Sequence, residues 1–209
     1  MRILDGDHVK SVLDAMRETP IYPQIVVLLS TGMRRGELAG LQWKDVDLDG
    51  KKLRVERSVE KTKAGLRIKG PKTAHGRRLI ALPDAAVTIL RQHRKATMEM
   101  RLALGAGRLP DEAFLFGDIE GKLRDPDCLT WDWRRLTAAR GLPKVTLQAL
   151  RHSHASALIA SGTDVVTVSR RLGHGSPTVT LGVYAHLFDK GDAAAAQAID
   201  NVFGKNEKP

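Results

Sequence analysis

The first third of the chain has hydrophobic residues at helical spacing. Between Asp5 and Thr19 the apolar positions fall three or four residues apart, which predicts an amphipathic helix that Pro20 ends. The segment that follows, residues 21–30, is apolar on nearly every side and predicts a buried helix. Gly32 ends that helix, and the letters RRGELAGL predict a short helix after it.

The middle of the chain changes to short apolar segments of strand length. LRVERSV, GLRIKG and RRLIAL, within residues 53–82, are separated by polar turns that contain glycine. They predict three antiparallel strands in one small sheet. The Asp49-Gly50 pair predicts the turn that leads into the first strand.

Helical spacing returns at Pro83 and continues to the end of the chain. The predicted helices cover residues 83–104, 125–140, 147–161, 165–172, 177–187 and a last segment from 192. The last helix has an apolar stripe, which favours docking in a groove of this domain or of a neighbouring one. The stripe consists of Ala195, Ile199, Val202 and Phe203. The predicted fold class is α+β, mostly α-helical with a small antiparallel β-sheet.

The composition is that of a globular chain and excludes several classes of protein. Hydrophobic residues make up 42% and charged residues 28%, which argues against a disordered chain. The longest apolar run, Ile25 to Leu29, is far too short to cross a membrane, and no membrane partner is expected. The start lacks the apolar segment of a signal peptide, and Cys128 is the single cysteine, so a cytoplasmic location is expected.

The positive charge is concentrated in one segment. The net charge is +10, and eleven basic but only two acidic residues lie between Lys51 and Arg78. This segment therefore carries nine of the ten surplus positive charges. A solvated basic surface without a partner would have the same composition. The functional interpretation is a ribbon that contacts the phosphates of a nucleic acid.

Several common catalytic motifs are missing from the sequence. No GxxxxGK[ST], no GxGxxG before a Rossmann-like unit and no HExxH occurs, so NTP hydrolysis, dinucleotide chemistry and zinc-peptidase chemistry lack their parts. The carboxylates are not clustered as the Mg²⁺ ligands of a nuclease would be. No metal and no cofactor is expected.

Five segments with polar residues at the edges of predicted elements stand out instead. They are TGMRRGEL at 31–38, PKT at 71–73, LRHSHAS at 150–156, LGHGSPTVT at 172–180 and VYAHL at 183–187. This ordered set resembles the catalytic domain of the tyrosine recombinase, or phage integrase, family between about Asp5 and Lys190. The resemblance implies a mostly helical domain with a small sheet that cuts double-stranded DNA without a metal or ATP.

The resemblance also implies a role for each matching residue. Arg34 and Arg151 match the family's two arginines, and Glu37 matches the acidic partner of the first arginine. Lys72 matches the lysine of the β-hairpin. His174 matches the histidine near the nucleophile, and Tyr184 matches the nucleophile itself. The expected DNA contacts lie beside Arg34 and on the basic segment. They are Arg35, Lys61, Lys63, Lys69, Arg77 and Arg78.

The chemistry of strand cleavage suits these residue types. Attack on a phosphodiester builds negative charge on the non-bridging oxygens, and forked guanidiniums stabilise that charge better than lysines do. A tyrosine hydroxyl, with a pKa of about 10, is a poor nucleophile unless nearby cations ease the loss of its proton. A lysine on a hairpin, as Lys72 is expected to be, can protonate the leaving 5′ oxygen as a general acid.

One position departs from the family's pattern. The motif usually reads His-x-x-Arg, and here it is Gln148-x-x-Arg151. Gln148 is a catalytic candidate because its amide can donate a hydrogen bond to a phosphate oxygen, but it cannot take a proton as histidine can. No general base for Tyr184 is therefore expected at this position. His152, one residue past Arg151, is interpreted as structural.

The predicted function is site-specific DNA recombination, by strand cleavage and rejoining through a 3′-phosphotyrosine intermediate. Two alternatives stay open: a DNA-binding module whose catalysis is impaired by Gln148, and relaxation of DNA as by a type IB topoisomerase. Residues 1–190 are expected to form the catalytic domain and 191–209 a tail, with the family's N-terminal DNA-clamping domain absent from this chain. A homo-tetramer assembled on DNA through the tail is expected, in a bacterial nucleoid and encoded by a bacterium or phage.

Overall fold

The computed structural model describes residues 4–70, 76–188 and 192–203, and most of them lie in nine helices. The helices are α1 Gly6–Met16, α2 Tyr22–Thr31, α3 Arg35–Ala39, α4 Asp84–Ala103, α5 Pro126–Ala139, α6 Leu147–Ala160, α7 Val165–Leu172, α8 Pro177–Tyr184 and α9 Asp192–Phe203. Short 3₁₀ turns follow at Trp43–Asp45 and Ala185–Leu187. The predicted α+β class with a helical majority is confirmed, and each helix predicted from apolar spacing forms.

Within the described ranges, five short strands build two antiparallel sheets rather than one. The strands are β1 Val46–Asp47, β2 Lys52–Val55, β3 Ser58–Thr62, β4 Gly65–Lys69 and β5 Arg78–Ala81. The first sheet has the order β1-β2-β5, and β3 with β4 forms a separate hairpin. The prediction of one continuous strand at LRVERSV was therefore wrong, because the segment divides between β2 and β3.

Arg57 explains the break between the two sheets. Its guanidinium is only 19% exposed and turns into the protein, where Nη1 donates to Asp45 Oδ2 at 2.5 Å and to the Gly40 carbonyl at 3.3 Å. A strand that continued past Val55 would need an apolar side chain at this inward position. The ion pair instead redirects the chain into the β3–β4 hairpin, which carries part of the basic segment and packs through β3 against α3 and α5.

The core is organised around α2. Its residues Ile25, Val27 and Leu28 are fully buried, and the helix packs against α1, α3, α4 and α6. The all-round apolar sequence of this helix required such a central position. Leu53 and Ile80, paired across β2 and β5, add the sheet to the same core.

A second, smaller core joins the C-terminal helices. It contains Ala155, Ile159, Val168, Leu172 and Tyr184, contributed by α6, α7 and α8. Because α6 takes part in both cores, it fixes the C-terminal helices relative to α2 and α3. Tyr184, the predicted nucleophile, is itself part of this second core.

The last helix forms, and the large apolar side chains described on it are exposed. Ile199, Val202 and Phe203 are 54%, 63% and 69% exposed, so the part of the chain described by the structure offers them no groove. Among the described residues, no helix has both the length and the apolar character needed to cross a bilayer.

Candidate active site

Four elements bring the candidate catalytic residues together. Arg34 precedes α3, Gln148 and Arg151 lie on the first turns of α6, His174 follows α7, and Tyr184 ends α8. Arg34, Gln148 and Arg151 line one cleft of about 560 Å³. Lys72 lies outside the described residues.

Arg151 is a buried cation held by backbone carbonyls. Its Nη1 donates to the Gly32 carbonyl at 2.5 Å and its Nη2 to the Leu172 carbonyl at 2.8 Å. These carbonyls lie at the C-terminal ends of α2 and α7, where the helix dipole favours a cation. Burial, and next the charge of Arg34, lower the pKa of Arg151 to about 10, so it stays charged at neutral pH. The guanidinium keeps further N–H groups for an anion in the cleft.

Gly32 is required for this arrangement. It has φ 65°, in the left-handed region, and a Cβ there would lie 2.5 Å from the ring of His154. His154 Nδ1 donates to the Leu29 carbonyl at 2.8 Å, while its Nε2 accepts from Arg171 Nε at 3.1 Å. Burial, followed by the charge of Arg171, lowers the His154 pKa to about 4. His154 is therefore a neutral spacer that supports the turn.

Glu37 ties Arg34 to the protein core. Its carboxylate is buried and accepts from the Arg34 backbone N–H at 2.8 Å, from Arg34 Nη1 at 3.1 Å and from Arg78 Nη2 at 2.7 Å. Burial alone would raise the pKa of Glu37, but the hydrogen bond and charge of Arg78, then those of Arg34, bring the pKa below its ordinary value. An ionised Glu37 thus fixes the start of α3 and leaves the Arg34 side chain half exposed to the cleft.

Arg78 has a different place from the one expected for a DNA contact. Its side chain is 6% exposed and is occupied by Glu37 and by the Arg171 carbonyl, which Nε reaches at 2.8 Å. This burial does not fit a direct contact with DNA phosphates. Gly173, with φ 68°, passes so close that a Cβ would lie 2.6 Å from Arg78 Nη1. Arg78 therefore positions Glu37 and the turn that carries His174.

His174 lies in the field of the arginines as a neutral ring. Its Nδ1 is 2.8 Å from Thr180 Oγ1, and Thr180 is fully buried. Burial, and next the charges of Arg151 and Arg34, lower the pKa of His174 to about 4. When Nδ1 accepts from the Thr180 hydroxyl, Nε2 carries the proton of this neutral imidazole and can donate to a phosphate oxygen.

Tyr184 is 1% exposed, and its hydroxyl contacts a histidine. The Tyr184 Oη lies 2.5 Å from His152 Nδ1, and the two rings are 5.7 Å apart between centroids. Burial raises the pKa of Tyr184, while the charge of Arg151 acts in the opposite direction. Gln148, by contrast, lies exposed in the cleft.

The sequence pattern predicts a structural role for His152 and gives no sign of its contact with Tyr184. The available signal for a place in the site was the i,i+4 spacing from Gln148, which puts His152 on the same face of α6. The contact with Tyr184 needs the packing of α8 against α6 and α7, which no local pattern reports.

The remaining expected DNA contacts lie on or near the surface. Most are paired with carboxylates: Arg35 with Asp127, Lys61 with Asp125 and Asp127, Lys69 with Glu60, and Arg77 with Glu56. Lys63, at the hairpin turn, is exposed. Partly exposed ion pairs contribute little to folding, so these cations can exchange carboxylate for phosphate.

Glu37→Gln is expected to lower the free energy of unfolding by about 3 kcal/mol, because it leaves the buried Arg78 charge without its counter-ion. Chemical denaturation at pH 7 measures this change. Glu99→Gln, which removes an exposed pair with Lys95, serves as the control and should cost no more than about 0.5 kcal/mol. Equal losses in both variants would contradict the role given to Glu37.

The stability contributed by the Glu37–Arg78 ion pair is expected to depend on pH. The folded-state pKa of Glu37 lies below its ordinary value of 4.5, so its stabilising contribution is present above that value. It is lost as the pH falls through the lowered folded-state pKa. The wild-type chain should therefore lose more stability in acid than Glu37→Gln does, and parallel pH profiles would refute this linkage.

Comparisons with known proteins show which family the chain belongs to. The family model for phage integrases matches residues 2–190. The chain is 27% identical over 208 residues to the tyrosine recombinase XerC-like protein of Caldanaerobacter subterraneus subsp. tengcongensis, covering 94% of this chain and 53% of that protein. It is 32% identical over 206 residues to an integrase of Streptomyces ambofaciens, covering 93% and 51%. The chain thus spans about half the length of these curated relatives.

Solved structures share the fold. The Tn1549 transposon integrase in complex with circular intermediate DNA superposes with a TM-score of 0.77 at 25% identity, covering 96% of this chain and 67% of that one. The XerA recombinase superposes with a TM-score of 0.66 at 23% identity, covering 100% and 66%. Since the family model matches nearly the whole chain, the chain belongs to the phage integrase family of tyrosine recombinases.

Proposed function

We propose that this chain is the catalytic domain of a site-specific DNA recombinase that cuts and rejoins strands through Tyr184. The observation that carries the proposal is the buried, carbonyl-held guanidinium of Arg151, which lines a cleft with Arg34 and whose charge acts on Tyr184. A buried cation without a carboxylate partner is costly unless an anion uses it. Residues 1–190 form this domain in the proposal, and 191–209 form its tail.

The cleft binds the scissile phosphate. Arg34 and Arg151 donate to its non-bridging oxygens, and neutral His174 adds a hydrogen bond without adding charge. Negative charge on these oxygens grows as the fifth bond to phosphorus forms. Donors already fixed by Glu37 and by the Gly32 and Leu172 carbonyls stabilise that charge without reorganising.

Cleavage exchanges one phosphoester for another. The Tyr184 oxygen loses its proton and attacks phosphorus, and the bond to the 5′ oxygen breaks. That oxygen takes a proton from a general acid, for which Lys72 is the candidate. The 3′-phosphotyrosine conserves the energy of the broken bond, so a 5′-hydroxyl of a second strand can attack it and rejoin the DNA without ATP.

Double-stranded DNA is the proposed partner. Arg35, Lys61, Lys63, Lys69 and Arg77 supply phosphate contacts along the ribbon and the mouth of the cleft. Both solved Tn1549 and XerH recombinases, which share the fold, are described in complex with DNA. The proposed location is accordingly on DNA in the cytoplasm of a bacterium, for a protein encoded by a bacterium or phage.

A trapping experiment tests the function. The chain is incubated with a pool of nicked duplexes of randomised sequence, from which a short 5′-hydroxyl strand diffuses away after cleavage. We expect a detergent-resistant DNA adduct whose tryptic peptide carries Tyr184. Absence of any adduct, with DNA binding retained, would favour a binding module. Relaxation of supercoiled plasmid without joining to a second duplex would favour a topoisomerase-like activity.

The exposed face of α9 supports an assembly on DNA. Ile199, Val202 and Phe203 expose apolar surface, which favours burial against a neighbouring copy. A homo-tetramer linked by exchanged α9 helices is the proposed assembly, with each tail covering an apolar groove of the next subunit.

Phe203→Ser is expected to weaken this assembly by about ten-fold or more, because burial of a phenylalanine side chain contributes about 1.5–3 kcal/mol. Sedimentation of the chain on DNA with two binding sites measures the effect, and binding to a single site should stay unchanged. Leu102→Ser is the matched control, since Leu102 is an 80% exposed apolar residue on α4. Equal weakening of single-site binding and assembly would refute the exchange.

A further inference from the structure

The nucleophile is hydrogen-bonded to a residue that the family resemblance did not assign to catalysis. Tyr184 Oη and His152 Nδ1 are 2.5 Å apart, and both rings lie where α6 packs against the C-terminal helices. The Tyr184 side chain packs in the second core, and the residue is 1% exposed. His152 is thus placed to exchange a proton with the attacking oxygen.

Tyr184 needs a proton acceptor at neutral pH. Burial raises the pKa of Tyr184, so its hydroxyl is protonated before the reaction. Gln148 cannot take that proton, because an amide has no basic nitrogen, and it lies exposed in the cleft. Of the described side chains, the one that hydrogen-bonds the Tyr184 hydroxyl is His152.

We propose that His152 is the general base of strand cleavage, taking the Tyr184 proton at Nδ1 and returning it when the strand is rejoined. The proposal rests on the function proposed above and names a further catalytic residue for it. It requires the neutral ring to carry its proton on Nε2, so that Nδ1 accepts the hydrogen bond from Tyr184 Oη.

The proton and the bonds balance in each direction. In cleavage, the Tyr184 O–H bond breaks, His152 becomes an imidazolium, the Oη–P bond forms and the P–O5′ bond breaks, with the 5′ oxygen protonated by the general acid. In rejoining, the 5′-hydroxyl gives its proton back to that group and attacks phosphorus. The P–Oη bond then breaks, and the imidazolium reprotonates Tyr184.

The charges around His152 suit this cycle. Arg151 from the same helix, His174 from the turn after α7, and Tyr184 face it. Burial, and next the charge of Arg151, keep the pKa of His152 below its ordinary value, so the ring is neutral and ready to accept a proton. The imidazolium forms only as the phosphate gains negative charge, which offsets the repulsion from Arg151.

The first arm of the test needs only the protein. Nuclear magnetic resonance of the chain with labelled histidine identifies which ring nitrogen of His152 carries the proton. We expect the Nε2–H tautomer, and Tyr184→Phe should alter the Nδ1 resonance because the hydrogen bond is lost. A proton on Nδ1 in the wild-type chain would overturn the proposal.

The second arm uses His152→Asn, which keeps an acceptor oxygen at the place of Nδ1 but cannot take a proton. We expect adduct formation on the nicked duplexes to slow by about 10²-fold or more, with an unchanged circular dichroism spectrum. His8→Asn, at an exposed histidine of α1, should retain the wild-type rate. A wild-type rate in His152→Asn overturns this proposal alone, whereas a wild-type chain that forms no adduct overturns the proposed function as well.

The third arm separates base from acid. In DNA with sulfur in place of the bridging 5′ oxygen, the leaving group departs without protonation. We expect Lys72→Ala to regain cleavage on this DNA, and His152→Asn to stay about 10²-fold slow. Recovery of His152→Asn on the sulfur DNA would assign His152 to the leaving group and overturn the proposal.

The pH profile gives an additional readout on the same proteins. Cleavage by the wild-type chain should fall as the pH drops through the lowered pKa of His152, because the protonated ring cannot act as a base. His152→Asn should lose this fall in rate, while any further fall caused by protonation of His174, whose pKa is about 4, should remain. An identical acid limb in both proteins would overturn the proposal.

Discussion

Tyr184→Phe is expected to abolish the covalent DNA adduct while leaving affinity for DNA within a few-fold. The substitution removes only the oxygen that attacks phosphorus, and the phenylalanine ring still fills the second core between α6, α7 and α8. Loss of a nucleophile typically costs several orders of magnitude in rate, so the adduct should fall below detection. Denaturing gels of the trapped complex measure the adduct, and filter binding measures the affinity.

Tyr22→Phe is the matched control, because the chain has two tyrosines and the other is Tyr22. Tyr22 begins α2, and its replacement should leave adduct formation at the wild-type level. An adduct that persists in Tyr184→Phe and disappears in Tyr22→Phe would move the nucleophile to α2 and contradict the proposed site.

The helices were predictable from sequence because each has a one-sided or all-round apolar pattern that its packing uses. The all-round apolar segment at residues 21–30 became α2, the centre of the core, and the periodic segment after Pro83 became α4. Whether a segment forms a helix with a buried face depends on the apolar spacing within that segment. An apolar face is driven out of water wherever the helix packs, so no distant partner has to be known.

The strand boundaries and the positions of the basic side chains were less predictable, since both depend on partners far away in sequence. Arg57 interrupts the predicted strand because Asp45, on a different element, holds its guanidinium. Arg78 lies in the basic segment and was expected to face DNA, but the buried Glu37 takes its charge. The net charge of a segment gives the balance of cations and anions, but it does not tell which cations a carboxylate holds inside the protein.

The candidate site shows the same division. Sequence motifs predict Arg34, Arg151, His174 and Tyr184 as catalytic residues, and the fold brings the elements that carry them together. The contact between His152 and Tyr184 joins α6 to α8 through the second core, so it could be found only with those helices in place. The site therefore combines residues visible as motifs with a proton acceptor that only the packing reveals.

Arg151→Lys is expected to slow adduct formation by about 10²–10³-fold, the usual cost of removing one donor that stabilises a developing oxyanion. The guanidinium reaches the Gly32 and Leu172 carbonyls with two of its nitrogens and retains further N–H groups for the phosphate. An ammonium has three donors at one point and cannot span both carbonyls and a phosphate oxygen. Single-turnover rates on nicked duplexes measure the effect.

Arg101→Lys separates this catalytic loss from a loss of stability. Arg101 is also a buried arginine whose guanidinium donates to backbone carbonyls, including those of Gly107 and Ala106, but it lies at the end of α4 and does not line the cleft. Both lysine variants should unfold more easily, because carbonyls lose their donors. Only Arg151→Lys should lose cleavage per folded molecule, since of these two arginines only Arg151 lines the cleft and can donate to the phosphate with a forked guanidinium. Equal rates in the two variants, after correction for the folded fraction, would reduce Arg151 to a structural cation and leave Arg34 to carry the phosphate.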